Sequence, residues 1–194
     1  MELDGKPLVG KRPYEIAKEG IARTFQNIRL LGELSVLENV LISFHMREPY
    51  GYVSTILRTK RFYDTERKMR DEAMDLLTLM GLEKRANVQS RSLPYGDQRR
   101  LEIARALATH PKVLLLDEPA AGLNSQEKVS LMKTISEIRN RFKITILLIE
   151  HDMKLVMGIC ERITVLDHGE VIACGLPKEI QENPKVIEAY LGVG

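Results

Sequence analysis

Two apolar runs, VLLL at 113–116 and ILLI at 146–149, the latter preceded by Ile144 and Thr145, limit the possible folds of this chain more than any other feature. A strand with one wet face alternates apolar and polar residues. A continuous apolar run belongs to a strand covered on both faces, as in a parallel sheet. Between the runs, Asn124 and Glu127 form a capping box. Val129, Met132, Ile135 and Ile138 then recur at helical spacing. A helix joining two strands makes a crossover connection, so the two strands are expected to lie parallel. Asp152 is placed to cap a further helix bearing Leu155, Val156 and Ile159. Residues 163–166 and 171–174, joined by Asp167-His168-Gly169-Glu170, read as a hairpin. Pro177 and Pro184 each sit near the first turn of a short C-terminal helix. The expected class is α/β.

The stretch before Pro111 has a different period. Residues 1–9 read as one short strand and a turn at Gly5-Lys6-Pro7, and Pro13 opens a short helix. Residues 21–24 read as a strand, with Phe25-Gln26-Asn27 as a loop after it. Ser35 and Glu38 form another capping box, followed by Val36, Leu37, Val40, Leu41 and Phe44 at helical spacing. Residues 47–63 hold Pro49, Gly51 and scattered aromatics and read as a loop or broken helix. Met69, Ala73, Leu76, Leu77 and Met80 mark an amphipathic helix that stops near Gly81. Three regions follow: 1–34, a mostly helical subdomain inserted over 35–110, and an α/β core over 111–194.

Asp117 and Glu118 directly follow the first apolar run, and Glu150 and His151 the second. Ligands of open α/β sheets bind off the carboxyl ends of the strands. Parallel strands therefore bring these groups to one edge. An Asp there suits Mg²⁺, which prefers hard oxygens and keeps several waters. A Glu beside it suits the orientation or deprotonation of an attacking water. A histidine across the cleft suits a transferring phosphoryl group. Asp-Glu-Pro alone serves equally well to end a strand, and a lone histidine is more often a surface group. The joint arrangement on consecutive strand ends is what points to chemistry.

Composition removes several classes. A net charge of +2, from 29 Lys plus Arg against 27 Asp plus Glu, gives no electrostatic case for nucleic acid. The apolar runs are far shorter than the roughly 18 residues of a membrane span. Cys160 and Cys174, without CxxC spacing, are expected to be buried reduced thiols rather than a disulfide or metal pair. A cytoplasmic compartment is expected.

Four motifs carry a resemblance. Residues 113–124, VLLLDEPAAGLN, resemble the Walker B strand and D-loop of ABC-type ATPases. Residues 93–107, LPYGDQRRLEIARAL, resemble the ABC signature and its helix. Thr24-Phe25-Gln26 resembles the Q-loop, and Ile149-Glu150-His151-Asp152 the switch-histidine loop, in the family's order along the chain. The resemblance implies a P-loop NTPase-type ABC core with an inserted helical subdomain, using ATP and Mg²⁺. It implies that Asp117 and Gln26 serve the metal, that Glu118 positions the hydrolytic water, and that His151 contacts the γ-phosphate. Leu93, Pro94, Tyr95, Gly96, Asp97 and Gln98 (signature), with Gly122, Leu123 and Asn124 (D-loop), would then serve ATP held by a second ATPase subunit. Pro94 stands where the family usually has Ser, Asp97 where it has Gln, and Asn124 where it has Asp. Pro94 removes a hydroxyl and an N–H, and Asp97 brings a negative charge toward phosphate. The wording is closest to importer ATPases for branched-chain amino acids, including the tail NPKVIEAYLG at 183–192. This implies a protein peripheral on the inner face of the membrane. Its partners would be permease subunits and, indirectly, a substrate-binding protein, with no nucleic acid.

A P-loop ATPase also needs a Gly-rich loop and a Lys between a strand and a helix. Gly5 to Lys11 matches GxxxxGK, but Arg12 stands where Ser or Thr would bind the metal, and no buried strand leads in. The phosphate loop is therefore expected upstream of Gln26, outside this sequence. As written, the chain is expected to be an N-terminally shortened copy that holds ATP poorly by itself. The alternative is a non-catalytic docking or signature-donating module.

Overall fold

The computed structural model describes residues 2–45 and 60–191. Strands β1 (Glu2–Leu3) and β2 (Lys6–Pro7) form a small antiparallel hairpin around Asp4-Gly5. Both turn residues have positive φ, 51° and 75°, which matches the twist of a two-residue hairpin. The turn thus lies one residue earlier than the sequence reading placed it, and there are two strands instead of one. Gly5 is a hairpin turn residue, and no buried strand precedes the GxxxxGK stretch among the described residues. Helix α1 (Pro13–Glu19) ends on Gly20 in the left-handed conformation and leads into β3 (Ile21–Arg23).

Helix α2 (Val36–Phe44) begins at the Ser35/Glu38 capping box. Helix α3 (Lys60–Leu79) runs to Gly81. Residues 60–63 are thus already helical, and the rest of the expected broken segment, 47–59, lies outside the described residues. Short 3₁₀ turns at Glu83–Arg85 and Ser90–Ser92 lead to α4 (Tyr95–Leu107). Helices α2, α3 and α4 pack on one another.

Strands β4 (Val113–Asp117) and β5 (Thr145–Ile149) are parallel, joined through α5 (Ser125–Phe142), as the patterning requires. Strand β3 pairs parallel to β4 on its other side, so the sheet order is β3-β4-β5. Helix α6 (Met153–Ile159) follows β5. Strands β6 (Ile163–Asp167) and β7 (Glu170–Gly175) form the expected hairpin. Its turn residues, His168 and Gly169, have φ of 47° and 85°. Helices α7 (Pro177–Gln181) and α8 (Pro184–Val186) close the described chain, before a last helical turn at Ile187–Leu191.

The sheet is not covered evenly. Leu114 and Leu116 of β4 are fully buried, and Ile146 and Leu148 of β5 pack on the same core. The opposite face carries Leu147 and Ile149, which are 55% and 56% exposed. The expectation that β5 is buried on both faces is therefore corrected. Among the described residues, nothing covers Leu147 and Ile149. A cavity of about 780 Å³ opens on this side, lined in part by Leu8, Ile16, Ala17, Ile21 and Leu115. A second correction concerns α5. Its core face is Leu131, Ile135 and Ile138, while Val129 is 53% exposed. The thiols are free, as expected, but Cys174 is exposed and only Cys160 is partly buried, which raises its pKa.

One core joins sheet and helices: Val36, Leu77, Leu101, Leu114, Leu116 and Ile138 belong to a single cluster. A second, smaller cluster holds Val156, Ile163, Val165, Ala173, Ile180 and Val186. Helix α6 serves both, because Leu155 enters the first and Val156 the second.

These burials set an expectation for stability. Leu116→Ala should cost about 2–5 kcal/mol by transfer and cavity terms. Val129→Ala should change stability by no more than about 0.5 kcal/mol. Urea unfolding of the two variants beside the parent measures both.

Candidate functional site

The in-register parallel pairing, with Arg23 opposite Leu115 and Asp117 opposite Ile149, ends three strands at one edge. The residues just beyond those ends meet there. Gln26 Nε2 donates to Glu118 Oε2 at 2.8 Å. His151 Nδ1 lies 3.6 Å from the other oxygen, Oε1. Glu118 adopts φ 44°, left-handed for a residue with a Cβ, and its N–H donates to Ile149 O at 2.9 Å. Such a conformation is held by its surroundings and clusters at functional sites. Asp117 accepts from Arg23 Nη2 at 2.8 Å. Thr24 is buried between β3 and β4, where its Oγ1 accepts from Asp117 N at 3.4 Å. The structure thus brings Gln26, Asp117, Glu118 and His151 together.

The second candidate group gathers where α4 begins. Leu93 is buried, its N–H donates to Ser90 O, and its carbonyl accepts from Gln98 Nε2 at 2.9 Å. The N–H groups of Asp97 and Gln98 both donate to Pro94 O. Pro94 has no N–H to offer. The free helix-start donors are therefore those of Tyr95 and Gly96. Gly96 lies tight against α5: a Cβ there would stand 2.9 Å from Glu127 Oε1 and 3.4 Å from Leu123 Cδ2. Gly122, with φ 75°, faces the Tyr95 ring, where a Cβ would stand 3.0 Å from Cε1. The start of α4 and the turn at 122–124 thus form one packed unit, with Asn124 capping α5 through Gln126 N and Glu127 N. The Asp97 side chain turns away from the helix start. Its buried carboxylate lies between the guanidinium groups of Arg85 and Arg100. The extra negative charge expected beside phosphate is thereby neutralised within the chain.

The profile of the ABC transporter family matches residues 1–121. The chain belongs to this family. A second profile, of the branched-chain amino acid ATP-binding cassette transporters, matches residues 170–194. The high-affinity branched-chain amino acid transport ATP-binding protein LivG of Salmonella typhimurium is 50% identical over 190 residues, 98% of this chain and 74% of that protein. The corresponding BraF of Pseudomonas aeruginosa is 43% identical over 192 residues, 99% of this chain and 75% of that one. Among solved structures, the ADP conformation of MJ1267, an ATP-binding cassette of an ABC transporter, superposes with a TM-score of 0.76. It is 31% identical and covers 95% of this chain and 73% of its own. CbiO1 of Clostridium perfringens, part of a cbiONQ transporter complex, gives 0.77 at 28% identity, covering 96% and 69%. The α/β architecture of this ABC protein is accordingly that of the family's nucleotide-binding cassettes. Among the described residues, no helix is long and apolar enough to cross a membrane.

Several groups of this ABC protein escaped the sequence reading. Glu150, read only as a spacer, has a side chain that is 1% exposed. Its Oε1 accepts from Ala120 N at 2.8 Å and its Oε2 from His151 N at 3.2 Å, tying the turn after β4 to the end of β5. Arg23 pairs with Asp117 across 94 positions. Nothing in the sequence reading set the strand at 21–24 beside the one at 113–116, so this pair gave no signal. Arg99 and Glu102 of α4, to which the sequence reading gave no role, are buried.

Asp152 fixes the turn after His151. It caps α6 through Lys154 N and Leu155 N and pairs with Lys128 Nζ at 2.7 Å. The Lys128 bond first, then the Leu155 N–H, holds its carboxyl below the usual value, while the same bond raises Lys128. A lowered carboxyl pKa adds stability above the unfolded value of about 3.9 and loses it as pH falls through the folded value. The deficit of Asp152→Asn in urea unfolding should therefore be full at neutral pH and shrink as pH is lowered toward 3 or below.

Proposed function

We propose that this chain supplies the catalytic sheet edge and the signature of the ATP-binding and ATP-hydrolysing subunit that energises an importer for branched-chain amino acids. It works at the cytoplasmic face of the membrane, paired with a second ATPase subunit beneath integral permease subunits and supplied indirectly by a substrate-binding protein. The helical stretch 35–110 is the subdomain that carries the signature. Family membership and the names of the LivG and BraF relatives support the transport class. One observation carries the chemistry: Gln26 and His151 flank the two oxygens of Glu118 at the common end of three parallel strands.

A carboxylate gripped on one oxygen by an amide donor is oriented to take a proton from water. His151, exposed beside it, is placed to donate to a phosphoryl oxygen. The donor set also fits Mg²⁺. Asp117 keeps Oδ1 for the ion while Oδ2 accepts from the Arg23 guanidinium, a cation that the metal would displace or share the carboxylate with, and Gln26 keeps its amide oxygen free when Nε2 donates to Glu118. Mg²⁺ takes one or two carboxylates and completes its shell with phosphate oxygens and waters. When bound, the ion neutralises charge on the phosphates. In the second group, the Tyr95 and Gly96 N–H groups and residues Gly122, Leu123 and Asn124 serve ATP on the other ATPase subunit. The positive end of α4 favours an anion there.

The test is Glu118→Gln in the complex with permease, reconstituted in vesicles. ATP hydrolysis should fall by about 10²–10⁴-fold, the range of general base catalysis. Binding of a fluorescent ATP analogue with Mg²⁺ should stay at the level of the parent complex, because Glu118 is read as acting on the water and not as holding the nucleotide. Unchanged hydrolysis would overturn the catalytic reading and favour a module that only donates its signature.

A further inference from the structure

Helix α4 carries a charged pair in a place where charges are rarely left. Arg99 is 2% exposed and Glu102, one turn on, is 6% exposed. They pair at 3.2 Å, Arg99 Nη1 to Glu102 Oε2. Long charged side chains are almost never fully buried without a specific set of partners. Here the remaining partners are all backbone groups of one loop. Arg99 Nη1 donates to Phe25 O at 2.5 Å, Arg99 Nη2 donates to Gln26 O, and Glu102 Oε1 accepts from Phe25 N at 3.2 Å. Three backbone polar groups of two consecutive loop residues, an N–H and two carbonyls, are thus held by two side chains of one helix. Burial is the main reason the Glu102 carboxyl is pushed up, with the Phe25 N–H and Arg99 opposing it. A third member, Arg105, extends the grip by donating to Arg29 O. The Arg99 guanidinium also lies over the Tyr95 ring, 5.6 Å from its centre. Tyr95 in turn faces Gly122.

We infer that Arg99 and Glu102 are positioning residues that lock the backbone of Phe25 and Gln26 to α4, and so aim the Gln26 side chain at Glu118. The inference rests on the reading of Glu118 and Gln26 given above. The fork shape of guanidinium is what the geometry uses, because one planar group reaches two carbonyls and a carboxylate at once. Gln26 has no other support of this kind from the helical region among the described residues. Its amide is useful only where its Nε2 meets Glu118, and a displacement of an ångström at such a site is worth as much as 10²-fold in rate. The contact with Tyr95 places the same guanidinium between the Q-loop and the residues proposed to face the partner's ATP. A shift of α4 toward that ATP therefore moves Gln26 with it.

Two experiments test this. The first uses the reconstituted complex. Arg99→Lys keeps the buried positive charge but loses the fork. It should lower kcat for ATP hydrolysis between about ten- and a hundredfold, with little change in KM for ATP. In a Gln26→Ala background the same substitution should cause no further loss. A loss confined to KM, or one of equal size in both backgrounds, would overturn the inference. The second is amide hydrogen exchange on the chain itself and needs no activity. Glu102→Gln, which keeps an acceptor for Phe25 N–H, should retain protection of that amide. Glu102→Leu should lose it while Leu114 in the core stays protected. Equal protection of Phe25 in both variants would overturn the inference. Glu118→Gln is run alongside: if hydrolysis survives it, the catalytic reading fails, and the exchange data alone decide whether the clamp exists.

Discussion

Everything at the sheet edge depends on the parallel, in-register pairing of β4 with its two neighbours. Because Arg23, Leu115 and Leu147 share one row, the strands stop within a few residues of each other. The first polar groups past each end then have no choice of location. A slip of one residue in β4 would move its side chains to the opposite face and send Leu114 and Leu116 out of the core. The hydrophobic core therefore enforces the site's geometry indirectly. The left-handed turn at Glu118 is the local cost of leaving the sheet at once, and the N–H bond to Ile149 O holds it in place.

A second layer of order comes from charges that the fold keeps inside. Arg99 with Glu102, the Asp97 carboxylate held by the part-exposed Arg85 and Arg100, and Glu150 with two backbone N–H groups make up this layer. None adds much net stability, since desolvation offsets most of the attraction. What they supply is a unique placement, because a charge in a dry setting tolerates few alternative arrangements. The loops at the sheet edge are thus pinned by polar contacts while the strands are pinned by packing.

The sequence disclosed the strands and capped helices readily, because periodicity and side-chain caps are local signals. Asn124 with Glu127, Ser35 with Glu38, and the turn at His168-Gly169 all follow from residues within four positions of each other. Gln26, Glu118 and His151 were found as a set because their motifs carry a family resemblance. Their convergence is now given by the hydrogen bond and distances at the strand ends. The partners that hold them were not legible. Arg23 with Asp117 spans 94 positions and Arg99 with Phe25 spans 74, and a charged residue on a helix gives no hint of which side faces inward. Burial was misjudged at Leu147, Ile149 and Val129 for the same reason. An apolar residue states what it prefers, not what covers it.

Helix α6 has seven residues and begins two positions after His151. Its inner side chains are divided between a large core and a small one. Cooperative units of unequal size open at unequal free energies, the smaller ones first. The C-terminal hairpin and its helices can therefore loosen in a sub-global fluctuation that leaves β3, β4 and their core intact. When they do, α6 loses its Val156 side but keeps Leu155 in the large core, and the Asp152–Lys128 pair still fixes the turn after His151. Glu118 and Gln26 belong to the tighter unit. The histidine therefore stands at the boundary between the two bodies, moored to the larger one by its immediate neighbours, while the carboxylate lies wholly within it.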